Sequence, residues 1–131
     1  MFEKILLYID NKESAKKLAL WTLKFAKIFN ARIFAVYIIN QIDSKPKVKT
    51  KSRKINSNQE ETAWSILYEI EDDAFEENVK ISLIVEEGRP EDKLIDFFQS
   101  FEIDVMIVSG HSKLEFEELI KRCQGKILII K

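Results

Sequence analysis

Little in this chain lends itself to covalent or metal chemistry. Among 131 residues there are one cysteine, one histidine, two prolines and three glycines. A single thiol excludes a disulfide framework, and one Cys with one His cannot supply a structural zinc site. The glycine-dependent signatures of catalysis and phosphate binding are missing as well: there is no G-x-S-x-G elbow, no Walker sequence and no G-x-G-x-x-G. No apolar run approaches the roughly 20 residues that a bilayer requires. The opening MFEKILLYID lacks the basic, apolar and small-residue order of a signal peptide. These absences argue against an enzyme, a metalloprotein or a membrane protein, and make the reducing cytoplasm the expected setting.

What is present is a composition that folds. Hydrophobic residues make up 46% and charged residues 33%, enough for one core and one domain spanning 1–131. The net charge of −1 hides a division: residues 1–58 hold 13 Lys/Arg against 4 Asp/Glu, and residues 59–131 hold 8 against 18. Such asymmetry marks separate electrostatic faces or contact between protomers.

Apolar runs at 3–9, 31–39, 79–86, 104–109 and 126–131 read as strands, and 79–86 partly alternates as an edge strand would. Between them lie helical patterns. At 13–29 the stripe is Ala15, Leu18, Ala19, Thr22, Ala26 and Phe29, widened by Trp21 and Phe25, with Asn30 as the stop. At 59–77 it is Ala63, Ile66, Leu67, Ile70 and Ala74. The helix at 91–101 buries Leu94, Phe97, Phe98 and Phe101, and a last one runs near 113–124. Residues 40–58 have no stripe and are expected to form a long mobile loop. Strand–helix alternation predicts an α/β fold, a three-layer α/β/α sandwich on a five-stranded parallel sheet. If its order is 3-2-1-4-5, the ligand crevice lies at the carboxyl ends of the first and fourth strands. Asp10 and Asn11 then face Ser109, Gly110, His111 and Ser112.

Each of these residues also has a structural role open to it. Asp10 with Glu13, and Ser112 with Glu115, fit capping boxes opening the first and last helices. Gly110 is suited to a backbone conformation that other residues resist. Cys123, beside Phe116, Leu119 and Ile120 on the last helix, reads as a small core residue rather than a nucleophile.

The opening KILLYIDNKESAKKLALWTLKFAK resembles the first strand, Asp-containing turn and first helix of the universal stress protein family. The later match is carried by Gly88, Pro90, Ile95, Asp104, Ile107, Val108 and Gly110, and the closing ELIKRCQGKILIIK is similar to that family's last helix and strand. The resemblance implies the sheet order 3-2-1-4-5 of adenine-nucleotide alpha-hydrolase-like folds, a role in stress response, and frequent homodimers. ATP-binding members carry G-x-x-G-x9-G-[ST] after the fourth strand. Counted from Gly110, the second glycine is replaced by Lys113 and the third by Cys123, followed by Gln124. Aligning the final helix instead leaves the segment from Gly110 to Phe116 too short for that loop. The implied nucleotide site, Asp10, Gly110, His111, Ser112 and Lys113, is therefore degenerate. No cofactor is expected; ATP and AMP are disfavoured, since one mobile ammonium at Lys113 does not replace a shaped nest of N–H donors.

Two interaction surfaces complete the picture. Lys45, Lys47, Lys49, Lys51 and Arg53 recur at alternate positions and are followed by Lys54, which suits an acidic partner if the chain is extended. A solvated loop is the preferred interpretation, and without interleaved aromatics nucleic acid is disfavoured. The terminal strand, with Lys126 and Lys131 flanking Ile127, Leu128, Ile129 and Ile130, is an edge suited to antiparallel pairing with a second copy. The sequence thus favours a non-catalytic, universal-stress-protein-like binding protein. The alternatives are an adenine-nucleotide sensor with a rearranged site and an adaptor acting through residues 45–54.

Overall fold

The structure is a computed structural model describing residues 2–10, 12–39 and 49–131. Along the chain these form β1 (Lys4–Ile9), α1 (Lys12–Phe29), β2 (Arg32–Ile39), α2 (Lys49–Glu76), β3 (Ile81–Glu87), α3 (Pro90–Ser100), β4 (Val105–Ser109), α4 (Phe116–Arg122) and β5 (Ile127–Ile130). All strand pairings are parallel and the sheet order is β3-β2-β1-β4-β5, as expected.

The central strands are apolar on both sides because both faces are covered. Ile5, Leu7 and Ile9 of β1 join Leu18 and Leu23 of α1 and Ile66, Leu67 and Ile70 of α2 in one core layer. The alternate residues Leu6 and Tyr8 join Leu94 and Ile95 of α3 with Leu119 and Cys123 near α4 in the other. Asn30, at φ 54°, ends α1 in the left-handed conformation, and Ala31 N–H closes back on Ala26 at 2.9 Å. At the amino end of the sheet Asp104 Oδ2 accepts the N–H groups of Glu3 and Lys4 at 2.8 and 2.9 Å, tying β1 to the entrance of β4.

Several expectations need correction. The helix expected from 59 begins at Lys49, so the expected loop across 40–58 does not extend past 48. Lys and Arg are good helix formers, and no Gly or Pro interrupts residues 49–58. Alternate spacing therefore gives Lys49, Lys51 and Arg53 no common side, because successive helical residues turn by about 100°. Lys45 and Lys47 lie outside the described residues. On α1, Phe29 and Trp21 are exposed rather than buried; they form an aromatic string in which Trp21 stacks on Phe25 at 5.3 Å and Phe29 meets Phe2 edge-on at 5.2 Å. Ile120 is exposed, while its neighbour Cys123 is fully buried and its thiol pKa is raised by burial.

Candidate functional site

The crossover between β1 and β4 places Asp10 and the Ser109–Ser112 turn at the same end of the sheet. On the α1 side of that end lies a cavity of about 310 Å³ lined by Glu13, Ser14, Lys17, Leu18, Ser109, His111, Ile130 and Lys131. The carboxyl ends of β4 and β5 form one wall and the first turns of α1 the other. Of the expected residues it includes Ser109 and His111. Lys17 and Lys131 add cationic groups that sequence reasoning missed. Lys17 was legible as lying one helical turn beyond Glu13 and Ser14; Lys131 becomes a neighbour only through the β4–β5 pairing.

The backbone of the turn is already engaged. Gly110 N–H donates to Ile130 O at 2.8 Å, His111 N–H to Ser109 Oγ at 3.1 Å, and Ser112 N–H to Ser109 O at 3.1 Å. A phosphate-binding nest requires amides that converge on empty space, and these three are turned inward. Gly110 is not there for an unusual backbone angle, since its φ is not positive. A β-carbon at that position would stand 3.2 Å from Lys131 Cγ and 3.5 Å from Ile129 Cγ2, so a larger residue would fit once the Lys131 side chain gave way by a few tenths of an ångström.

The expected Ser112–Glu115 capping box does not form. α4 opens at Phe116, its N-cap Glu115 makes no side-chain cap, and Ser112 Oγ is buried without a hydrogen-bond partner. The reason is a residue from a distant part of the chain: Glu91, buried at the start of α3, accepts Glu115 N–H through Oε2 at 2.9 Å. A protein carboxylate thus stands where an anionic ligand would meet the start of α4. Arg89 braces the same junction, donating to Glu118 from both terminal nitrogens at 2.7 and 3.2 Å and to Asp92 at 2.9 Å. This pairing holds the Glu118 carboxyl below its usual range and raises the Arg89 guanidinium. Nothing in the local sequence around Arg89 or Glu91 announces partners in α4.

Across the crevice the field is also negative. The Tyr8 phenol is pushed well up by burial, then by the charges of Asp10 and Glu91, and Tyr37 is raised by burial and by Asp10. Asp10 is half-buried, whereas Lys113 is exposed. Among the described residues no group of three or more His, Cys, Asp or Glu side chains could hold a metal ion, and no helix is long and apolar enough to cross a membrane.

Comparison with known proteins agrees with this architecture. The model of the universal stress protein family matches residues 1–121. Universal stress protein UspA from Lactobacillus plantarum superposes with a TM-score of 0.83 at 14% identity, covering 99% of this chain and 98% of its own. The hypothetical protein MJ0577 gives 0.81 at 20% identity, covering 100% and 96%. A universal stress protein family protein from Arabidopsis thaliana with AMP bound gives 0.72 at 14% identity, covering 98% and 91%. At these identities the structural likeness speaks for the fold alone. No curated protein matches the chain by sequence.

Proposed function

The chain belongs to the universal stress protein family, and from that premise we propose that it is a non-catalytic, dimeric regulatory protein whose nucleotide site no longer holds ATP. The observation that carries this reading is the occupied state of the phosphate end. The N–H groups of residues 110–112 are spent within the protein, and the Glu91 carboxylate takes the amide of Glu115. A triphosphate entering there would displace hydrogen bonds already made and meet a buried negative charge. Titration calorimetry with Mg-ATP is expected to give no saturable binding; a micromolar isotherm would refute the proposal.

A second reading has one observation in its favour. The Arabidopsis thaliana relative carries AMP, and a single phosphate requires fewer donors than three. In this reading the chain is an adenine-nucleotide sensor with a rearranged site, the phosphate drawn toward Lys17, His111 and Lys131 around the cavity. A thermal-shift panel separates the two. A ligand at 100 times its dissociation constant stabilises by about 2.7 kcal/mol, so AMP-specific stabilisation without an ATP response would favour the sensor.

Dimerisation is assigned to β5. It is an edge strand of the sheet, with Ile129 39% exposed, and its unpaired backbone groups suit antiparallel addition of a second β5. Light scattering is expected to return twice the chain mass; a monomer at high concentration would remove this part of the proposal.

A further inference from the structure

α2 has two straight faces with apolar character, and the sheet covers only one. Ala63, Ile66, Leu67, Ile70 and Ala74 are buried against β2 and β3. On the opposite side Glu61, Ser65, Tyr68, Asp72 and Phe75 follow one another in steps of three and four residues. Tyr68 and Phe75 are 53% and 83% exposed there, and Trp64 stacks on Tyr68 with ring centroids 5.6 Å apart. A groove of about 680 Å³ runs along Glu61, Trp64, Ser65, Tyr68 and Asp72. An exposed row of rings rimmed by charge is the form that a docking surface takes.

The rim has one sign. Between Glu60 and Glu76 α2 holds seven acids and no base. Among the described residues no ion pair reaches these seven; Lys27 of α1 bridges Glu77, just past the helix end. The helix itself is not stabilised by this charge. Its carboxyl end is the negative end of the macrodipole, which acids oppose. Glu69 with Asp73, and Asp72 with Glu76, repel one another a turn apart. A cationic partner lying on this face would relieve both effects.

We infer that the outward face of α2, from Glu61 to Phe75, is the docking site for a basic amphipathic helix of another protein. A helix rises about 1.5 Å per residue, so the face is about 21 Å long and matches a partner helix of about four turns. The partner's apolar side chains cover Trp64, Tyr68 and Phe75, the arrangement of a helix laid along a groove. Its Lys or Arg side chains lie along Glu69 and Glu76 on one flank and Glu71 on the other. A guanidinium or ammonium over an exposed ring adds a cation–π contact. The same carboxylates repel an acidic helix and an anionic bilayer alike. The site is separate from β5, because α2 packs on β2 and β3 toward the opposite edge of the sheet. Each chain of a β5 dimer therefore takes one partner helix.

Fluorescence titration of the full chain tests the site, with Trp21→Phe leaving Trp64 as the reporter. The probe is a synthetic amphipathic helix of Leu and Lys, about five turns long. Its controls are a scrambled peptide of the same composition and an analogue with Glu in place of Lys. The Leu/Lys helix is expected to shift the Trp64 emission saturably, one peptide per chain, and Ile129→Lys should leave the affinity unchanged. Tyr68→Ser with Phe75→Ser, and Glu69→Gln with Asp72→Asn, are each expected to weaken binding about tenfold or more. Added salt should weaken it as well. No binding, equal binding of the scrambled peptide, binding of the Glu analogue, or affinity unchanged in either two-residue variant would each overturn the inference. So would a Trp64 shift with phosphatidylglycerol vesicles and none with the peptide, which assigns the rings to lipid. A mass above the dimer that falls with Phe75→Ser would assign them to a further copy of the chain and overturn it too. Circular dichroism verifies helix content; if the aromatic variant misfolds, the acid-neutralised variant and the scrambled peptide decide the question.

Discussion

Glu91 sits at the start of α3, yet its carboxylate serves α4 by accepting the amide of Glu115. Replacement by alanine is expected to leave that N–H without a protein partner and to lower stability by about 1–3 kcal/mol, measured by urea denaturation; Glu91→Gln, which keeps an acceptor, should recover part of the loss. Tyr8 and Cys123 work through burial instead. Both hold their protons more tightly in the folded protein than when exposed, the phenol because of burial, Asp10 and Glu91, the thiol because of burial. The sign follows from linkage: this stability is fully present below the unfolded values, about 8.5 for a thiol and about 10 for a phenol, and is lost as pH rises beyond them. Denaturant midpoints are therefore expected to fall progressively above about pH 9, and Tyr8→Phe should flatten the upper part of that decline.

At the scale of elements, apolar side chains are left exposed on several, among them Ile28 of α1, Tyr68 and Phe75 of α2 and Ile129 of β5. β5 is short and half-buried, and Lys126 and Lys131 flank its apolar middle. Ile129→Lys adds a charge at an exposed edge position, so it is expected to abolish a β5-mediated dimer in light scattering with little change in the thermal midpoint. α2 is a different case. Its carboxyl-terminal part was legible from the stripe Ala63, Ile66, Leu67, Ile70 and Ala74, all of them buried. Its first turns were not, because residues 49–58 carry charge and polarity without an apolar period, and helical periodicity registers only where a face is covered. The last helix failed for a related reason. Ser112 and Glu115 satisfy the local spacing of a capping box, but Glu91 competes for the Glu115 amide from outside the segment.

For the whole molecule, the division of charge between residues 1–58 and 59–131 becomes geometry. α1 presents lysines while α2 turns its acids outward, and Lys27 meets Glu77 across the gap at 2.9 Å. The carboxyl end of the sheet combines an acidic side, with Asp10 and Glu91 acting on Tyr8, and a more cationic cavity beside α1 lined by Lys17, His111 and Lys131. A nucleotide panel reports on this end of the molecule.

Periodicity and order by themselves determined the layers. Apolar runs buried on both faces specify central strands, the intervening stripes specify covering helices, and alternation of the two specifies a parallel sheet. They also brought Asp10 and Gly110 to one end, because strand order follows from the resemblance and crossover geometry from chirality. Only the tertiary structure decided which amides at that end are engaged. Whether an amide is available depends on partners elsewhere in the chain: Ile130 on β5 takes that of Gly110, and Glu91 on α3 takes that of Glu115. The sequence names every donor in the turn, but their engagement is a property of neighbours that local spacing does not encode.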